Sequence, residues 1–334
     1  MKAEPGGGDA RAALTAAIGA ELGEPARREL LAPSSALSER YRSPGADAYS
    51  RRLSSAELRA YLATRVPATF AATRRVLFEV ASLRPGFSPR SLLDLGAGPG
   101  TATWAAADVF SAIERAVLVE RGPDVAALGA RLFDRAVSWL GDGVEWVVGD
   151  VATVSLPESD LVVAAYLLGE LGHDRELPAL ERWWRATRGE LVIVEPGTPA
   201  GFERLRAARS ALISFGAQVT APCPHDRTCP MTAPDWCHFA VRLERSALHR
   251  DLKGARLGYE DEKFSYVAVS SRRPREASVR LVRSPRLHKG HARLVCCEAD
   301  GLVERVVSRR DGELYKQARA ARWGDRIEVV VPPV

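Results

Sequence analysis

Leu92-Leu93-Asp94-Leu95-Gly96-Ala97-Gly98-Pro99-Gly100-Thr101 decides how the rest of the chain is read. A short apolar run ends in three glycines at alternate positions, and Thr101 to Ala107 continues with helical character. Strand, tight turn and helix start follow in that order. Glycine at such a turn lets the backbone take positive φ and come close to a ligand, which a Cβ would prevent. Nucleotides, dinucleotides and phosphates all use turns of this kind, so the turn alone selects none of them.

The following strands narrow the choice. Ala116 to Glu120 reads as the next strand, with an acid at its carboxyl end some twenty residues after the turn. A carboxylate there suits a ribose diol, because it can accept from both hydroxyls. Val147-Val148-Gly149-Asp150 gives a third strand tip with an acid, Asp160 to Tyr166 a fourth strand, and Glu190 to Glu195 a fifth. Val125 to Leu140 and Leu177 to Arg188 are the helical partners, so residues 91 to about 198 alternate as a mostly parallel sheet requires. Ligands of open α/β sheets bind outside the carboxyl ends of the strands, where Gly96, Glu120, Asp150 and Tyr166 fall together.

The turn is Gly-x-Gly-x-Gly and departs from the Gly-x-Gly-x-x-Gly of a NAD site. With its acids it resembles the S-adenosylmethionine (SAM) pocket of class I methyltransferases. The expectation is an α/β, Rossmann-like class I methyltransferase domain. Asp94, Gly96, Ala97, Gly98, Gly100, Glu120, Asp150 and Tyr166 are expected at the cofactor. Tyr166 and Glu170 follow the fourth strand, where acceptor-facing residues commonly sit, and are the catalytic candidates, with Glu170 as general base. No Asn-Pro-Pro-Tyr-like tetrapeptide marks methylation of a base amino group, and no cysteine follows the fourth or fifth strand to attack a pyrimidine.

A chain of 334 residues, 46% hydrophobic and 27% charged, has an ordinary soluble composition and suggests two or three domains. The longest apolar run, Leu161 to Gly169, falls short of the ~18 residues a membrane helix needs, and no membrane partner is expected. The start, Met1 to Gly8, lacks the apolar segment of a signal peptide and suggests a cytoplasmic chain. Residues 1–85 read as helical: Ala10 to Leu22, a helix capped by Ser54 or Ser55, and another from Ala68 towards Ser82 beyond Pro67. A polar stretch around Tyr41 to Gly45 separates the first of these from the second. The expected division is 1–85 helical, 86–220 SAM-binding, 221–270 cysteine-rich with the remainder of the sheet, and 271–334 basic and β-rich.

Charge is unevenly spread. Residues 270–334 hold fifteen Lys/Arg against eight Asp/Glu, a surplus of seven in a chain whose net charge is +5, so the first 269 residues sum to −2. Such a tail points to a polyanion, most simply RNA. Its arginines include Arg272, Arg273, Arg275, Arg283, Arg286, Arg309, Arg310, Arg319 and Arg322. A hairpin from Arg280 to Val307 turning at Glu298 to Gly301, a helix near Leu314 to Ala321 and a strand from Arg326 to Val331 suggest a small OB-like domain.

All five cysteines, Cys223, Cys229, Cys237, Cys296 and Cys297, lie in the second half. In a reducing compartment clustered thiols hold metal more often than they form disulfides. The gaps of five and seven residues between the first three are not the Cys-x-x-Cys of a zinc ribbon. A closed tetrahedral zinc or a [4Fe-4S] cluster needs a fourth ligand, from Cys296, Cys297, His225 or His238. Alternation in the hairpin puts Ala292, Leu294 and Cys296 on the core-like face and Cys297 on the other, which favours Cys297. The spread of the thiols is unlike the compact triplet of radical SAM enzymes.

Arg65 to Ala72, the turn Leu93 to Gly100, Cys223-Pro224-His225, Cys229-Pro230, Trp236 to Phe239, Lys289-Gly290-His291 and Ala318 to Asp325 together resemble one family. It is that of the bacterial relatives of the mitochondrial small-ribosomal-subunit methyltransferase-like proteins, and the likeness spans about residues 35 to 326. The resemblance implies a SAM-type domain, a [4Fe-4S] cluster and a role in assembling the small ribosomal subunit on its RNA. It carries Cys223, Cys229 and Cys237 over as cluster ligands with Cys297 as the fourth and Cys296 as substitute. Some members act as binding factors with a relic pocket, which sets a non-catalytic RNA-binding factor beside the methyltransferase.

Overall fold

The computed structural model describes residues 8–23, 27–42, 53–135, 143–272 and 279–327. The expected helix end at Leu140, the strand end at Val331, Arg273, Arg275, Met1 and the Ser43-Pro44-Gly45 stretch lie outside them.

Helices α1 (Gly8–Leu22), α2 (Arg27–Arg42), α3 (Ser55–Thr64) and α4 (Val66–Leu83) precede the sheet. Ser54 caps α3 through a reciprocal box: its hydroxyl accepts from Glu57 N while Glu57 accepts from Ser54 N. Pro67 sits in the first turn of α4, where its missing N–H leaves no bond broken, so α3 ends and α4 begins at Arg65.

The main sheet is built from β1 (Ser91–Leu95), β2 (Arg115–Glu120), β3 (Val144–Val148), β4 (Ser159–Ala165), β5 (Thr187–Pro196), β6 (Gln218–Ala221), β7 (Phe239–Glu244) and β8 (Tyr259–Ser270). Its order is β3-β2-β1-β4-β5-β8-β6, with β7 paired to β8 beyond that path. The first five strands are parallel; β8 runs antiparallel to both β5 and β6. This is the class I methyltransferase arrangement expected from the glycine turn. Helices α5 (Thr101–Val109), α6 (Pro123–Arg135) and α7 (His173–Arg185) connect the parallel strands, α8 (Pro199–Ser214) leads from β5 to β6, and α9 (Ala247–Leu252) lies between β7 and β8.

Two-residue periodicity divides the core. Leu161, Val163, Val192 and Val194 face one way, against Leu77, Val80 and Trp104; Val162, Ala164, Leu191 and Ile193 face the other, against Leu180, Trp183 and Leu205. Both faces are therefore dry, as a parallel sheet requires.

The C-terminal part is a curled antiparallel sheet of β9 (Val279–Leu281), β10 (Arg286–His288), β11 (His291–Glu298), β12 (Gly301–Ser308) and β13 (Arg326–Ile327), with α10 (Glu313–Ala320) packed on it. It sits on α4 through buried charge. Arg280 donates to Glu79 Oε1 at 2.9 Å, to Pro222 O at 3.0 Å and to Gly324 O at 2.8 Å. Arg326 reaches the same Glu79 oxygen at 2.9 Å.

Candidate functional site

At the carboxyl ends of β1, β2 and β4 the three glycines take left-handed backbone, with φ of +61° at Gly96, +57° at Gly98 and +82° at Gly100. Protein side chains already use the room this creates. A Cβ on Gly96 would stand 2.6 Å from Leu167 Cδ1, and one on Gly100 2.5 Å from Phe133 Cε2. Gly98 is the open one, with only the Tyr61 hydroxyl, 3.9 Å away, in reach.

Asp94 lies behind the turn. It is buried and accepts from Thr103 N at 3.0 Å and Thr103 Oγ1 at 2.8 Å, pinning β1 to α5. Burial pushes its carboxyl up to about 7 against those two bonds. Ala97 is buried and donates its N–H to Val119 O at 2.9 Å, which fixes the turn against β2. Glu120 faces the turn: Oε2 accepts from Gly98 N at 3.0 Å and Oε1 from Gly122 N at 2.7 Å. Each carboxylate oxygen keeps a second lone pair for a ligand hydroxyl. Asp150, beyond β3, accepts from Ala152 N at 2.9 Å and pairs with Arg175 at 2.7 Å. Burial raises its carboxyl, but the Ala152 bond and the Arg175 charge outweigh that and hold it below its ordinary range.

Tyr166 is the one non-glycine residue with positive φ among the described residues, at +59°. Holding a bulky side chain there costs ~1–3 kcal/mol, and residues so held cluster at functional sites. Its N–H is fixed to Val194 O at 2.7 Å, and its hydroxyl donates to Glu262 Oε1 at 3.3 Å. Glu262 in turn faces Arg65 at 3.8 Å. Burial first, then the Glu262 charge, raise the phenol well above its usual value, so it stays protonated and donates. Glu170 closes the short 3₁₀ turn Leu168–Glu170 on the same side.

Two further residues belong to this cleft that the sequence did not announce. The hydroxyl of Tyr61, on α3, lies among Arg65, Glu170 and Glu120; burial raises it to about 12 and the two acids add to the rise. Glu195, at the tip of β5, is buried and accepts from Leu168 N at 2.9 Å and from Arg204 at 3.2 Å, fixing the segment after β4. Burial pushes its carboxyl up to about 7 against Arg204.

A second site lies around the loop between β6 and β7. Cys223, Cys229 and Cys237, all from the loop after β6, line one pocket with Cys297 of β11. It is partly open to solvent, with Phe202, Met231 and Val282 as apolar wall. Burial raises the Cys297 thiol to about 12, and proximity to Cys223 and Cys229 adds to this, since neighbouring thiolates repel. The same two causes push Cys237 far up, with Cys223, Cys229 and Cys297 all contributing. Cys296 faces away, fully buried beside Leu294 and Val307 in the core of the curled sheet. His225 Nε2 is 3.7 Å from Cys297 Sγ. His238 stacks on Trp236 at 5.1 Å and lies against the tilted Trp323 ring at 4.4 Å, a packing role.

Among the described residues no group of three or more His, Cys, Asp or Glu converges tightly enough to hold a metal ion. A zinc ion needs its sulfurs about 2.3 Å from one point. The donor set, four sulfurs in an apolar and partly enclosed pocket, fits a cluster of thiolate-bound irons.

The basic arginines are dispersed. Arg283 pairs with Asp235 and lies 5.1 Å over the Trp323 ring, whereas Arg286, Arg309, Arg310 and Arg319 are exposed.

A family model described as mitochondrial small ribosomal subunit Rsm22 matches residues 55–328. The chain belongs to the Rsm22 family. This Rsm22-family chain is 30% identical over 293 residues to the human protein named ribosome assembly protein METTL17, mitochondrial, across 81% of this chain and 62% of that one. It is 25% identical over 337 residues to the Rsm22-cox11 tandem protein 2, mitochondrial, of Schizosaccharomyces pombe, across 84% of this chain and 44% of that one. It thus spans less than two thirds of the length of these relatives. Among solved structures it is similar to magnesium protoporphyrin IX methyltransferase from Synechocystis, at 10% identity and a TM-score of 0.44, over 72% of this chain and 93% of that one.

These relatives correct one expectation. A cytoplasmic location followed from the lack of an apolar signal segment at the start, but both relatives are named as mitochondrial. No helix among the described residues is long and apolar enough to cross a membrane.

Proposed function

We propose that this chain assembles the small ribosomal subunit, in the mitochondrion to which its relatives' names point. In this reading it binds SAM at the Gly96–Gly100 turn and ribosomal RNA with its basic C-terminal part. Cys223, Cys229, Cys237 and Cys297 hold a [4Fe-4S] cluster. The observation that carries it is the meeting, in one pocket, of thiols from two segments some sixty residues apart in sequence. Such a site joins the curled sheet to the main body, and its ligand would contribute folding energy as structural zinc does.

When bound, the cluster supplies a covalent fastening and a one-electron centre. The chain's own residues do the rest. Glu120 accepts from the ribose hydroxyls of SAM, Gly98 leaves the backbone open to the ligand, and Tyr166, its hydroxyl held by Glu262, lines the acceptor side. Methyl transfer from a sulfonium is an in-line displacement. The acceptor's lone pair forms the new bond to the methyl carbon as the carbon–sulfur bond breaks, and a proton leaves the acceptor to Glu170 or water. Positioning supplies most of what such a reaction needs from a protein.

Calorimetry with SAM tests the pocket: the wild-type chain binds and Glu120→Ala binds at least tenfold more weakly. Tritiated methyl from SAM should appear in small-subunit particles, and its absence with SAM binding intact would refute methyl transfer. A second reading, a non-catalytic iron–sulfur assembly factor, is favoured by Leu167, Phe133 and Tyr61 packed against the turn. Under it, Glu120→Ala still supports assembly while Cys229→Ala does not.

A further inference from the structure

Arg209, on α8, sits in the wall of the thiol pocket and is 4% exposed. Its Nη2 donates to His225 O at 2.6 Å, which fixes the guanidinium against the loop that carries three of the thiols. Its Nε is buried with no partner. Among the described residues no carboxylate lies within ion-pair distance of it. It shares that pocket wall with Cys223, Cys229 and Cys297.

The other guanidiniums at the pocket are neutralised. Arg280 is paired with Glu79 at 2.9 Å, and Arg206 with Glu203 at 2.5 Å on the half-exposed side of α8. Among the guanidiniums lining this pocket, Arg209 alone brings an uncompensated cation and an unused N–H to an apolar wall. A buried charge of this kind needs an anion beside it. Thiolate-ligated iron–sulfur clusters are anionic, and hydrogen bonds to their sulfurs and nearby charge set their potentials.

We infer that Arg209 is the charge partner of the group bound by the four thiols, and that it raises that group's reduction potential by stabilising the more negative, reduced state. The inference rests on the cluster reading above. It makes α8, which packs beneath β5 and β8, the element through which the main body tunes a site otherwise built from the loop and the curled sheet.

The test uses the full chain purified without oxygen. Iron and sulfide are assayed first, and the cluster is then titrated with dithionite as one-electron donor while the spin signal of the reduced state is followed. Arg209→Gln should retain the cluster and move its midpoint in the negative direction. The expected size is about tenfold in the reduced-to-oxidised ratio at fixed potential, which for one electron is about 59 mV. Arg209→Lys, which keeps the charge, should recover most of that shift, and Arg206→Gln should leave the midpoint where it was. An Arg209→Gln protein with full iron and the wild-type midpoint overturns the inference and leaves the cluster reading standing. Wild-type protein lacking iron and sulfide overturns the cluster reading instead. If Arg209→Gln loses the cluster, retention in Arg209→Lys supports the charge; loss in both makes Arg209 a structural prop and overturns the inference.

Discussion

Replacing Arg280 by Met should detach the curled sheet from the main body. Its side chain is 3% exposed and its partner Glu79 7%, so the pair is dry on both sides. Removing one member of a buried pair costs ~3–5 kcal/mol, because the other charge is left uncompensated. Here Glu79 keeps Arg326 at 2.9 Å and Arg75 at 3.2 Å, which holds its own loss towards the lower end. Pro222 O and Gly324 O lose their donor as well, at ~1–3 kcal/mol for each group left unsatisfied. The sum is capped by water entering the gap, and about 4 kcal/mol is the expected loss. Urea unfolding followed by tryptophan fluorescence reads it, since Trp323 lies 4.4 Å from His238 at this junction.

The pH dependence of the same variant gives a second reading. Burial alone would raise the Glu79 carboxyl; the Arg280, Arg326 and Arg75 charges outweigh it and hold it below its ordinary range. A carboxyl lowered in the folded state contributes stability above its unfolded value and loses it as pH falls through the folded one. Arg280→Met should therefore be less sensitive to acid below pH 4.5 than wild type. A stability loss under ~1 kcal/mol, with an unchanged acid limb, would refute the idea that this pair seats the curled sheet.

Asp94, raised to about 7 by burial, takes up a proton on folding, so its contribution falls as pH rises from about 4 through 7; Asp94→Asn, measured against wild type by urea unfolding, should gain relative stability across that window, and a flat difference would count against it. Gly100→Ala and Gly98→Ala both meet left-handed backbone, at ~1–2 kcal/mol, but only Gly100→Ala also strikes Phe133, at 2.5 Å; it should be the more destabilising of the two in the same assay, and equal losses would contradict the packing. Arg286→Ala with Arg310→Ala should lower the salt dependence of binding to small-subunit RNA by about two phosphate contacts, with an unchanged slope placing the RNA elsewhere.

The turn at Gly96–Gly100, the acids at the strand tips and the Ser54 cap were legible in the sequence because each is a local rule of backbone geometry. Parity along β11 also sorted Cys296 from Cys297, since strand neighbours point to opposite faces. Helix α2 was harder to see: Pro33 and Ser34-Ser35 interrupt its pattern, and packing of Leu30 and Leu37 decides it. Strand β8 hid for another reason. Its first half, Tyr259 to Lys263, projects past β5 to pair with β7 and reads as a charged loop. Tyr61, Glu195, Arg209 and Arg280 were invisible, because a polar residue declares its role only through partners far along the chain.

The arrangement of four thiols around one pocket is tested most directly by iron and sulfide analysis of the chain purified without oxygen. About four of each per chain are expected, falling to near zero in Cys229→Ala and unchanged in Cys296→Ala. One zinc per chain with no sulfide, or iron retained without Cys229, would contradict it.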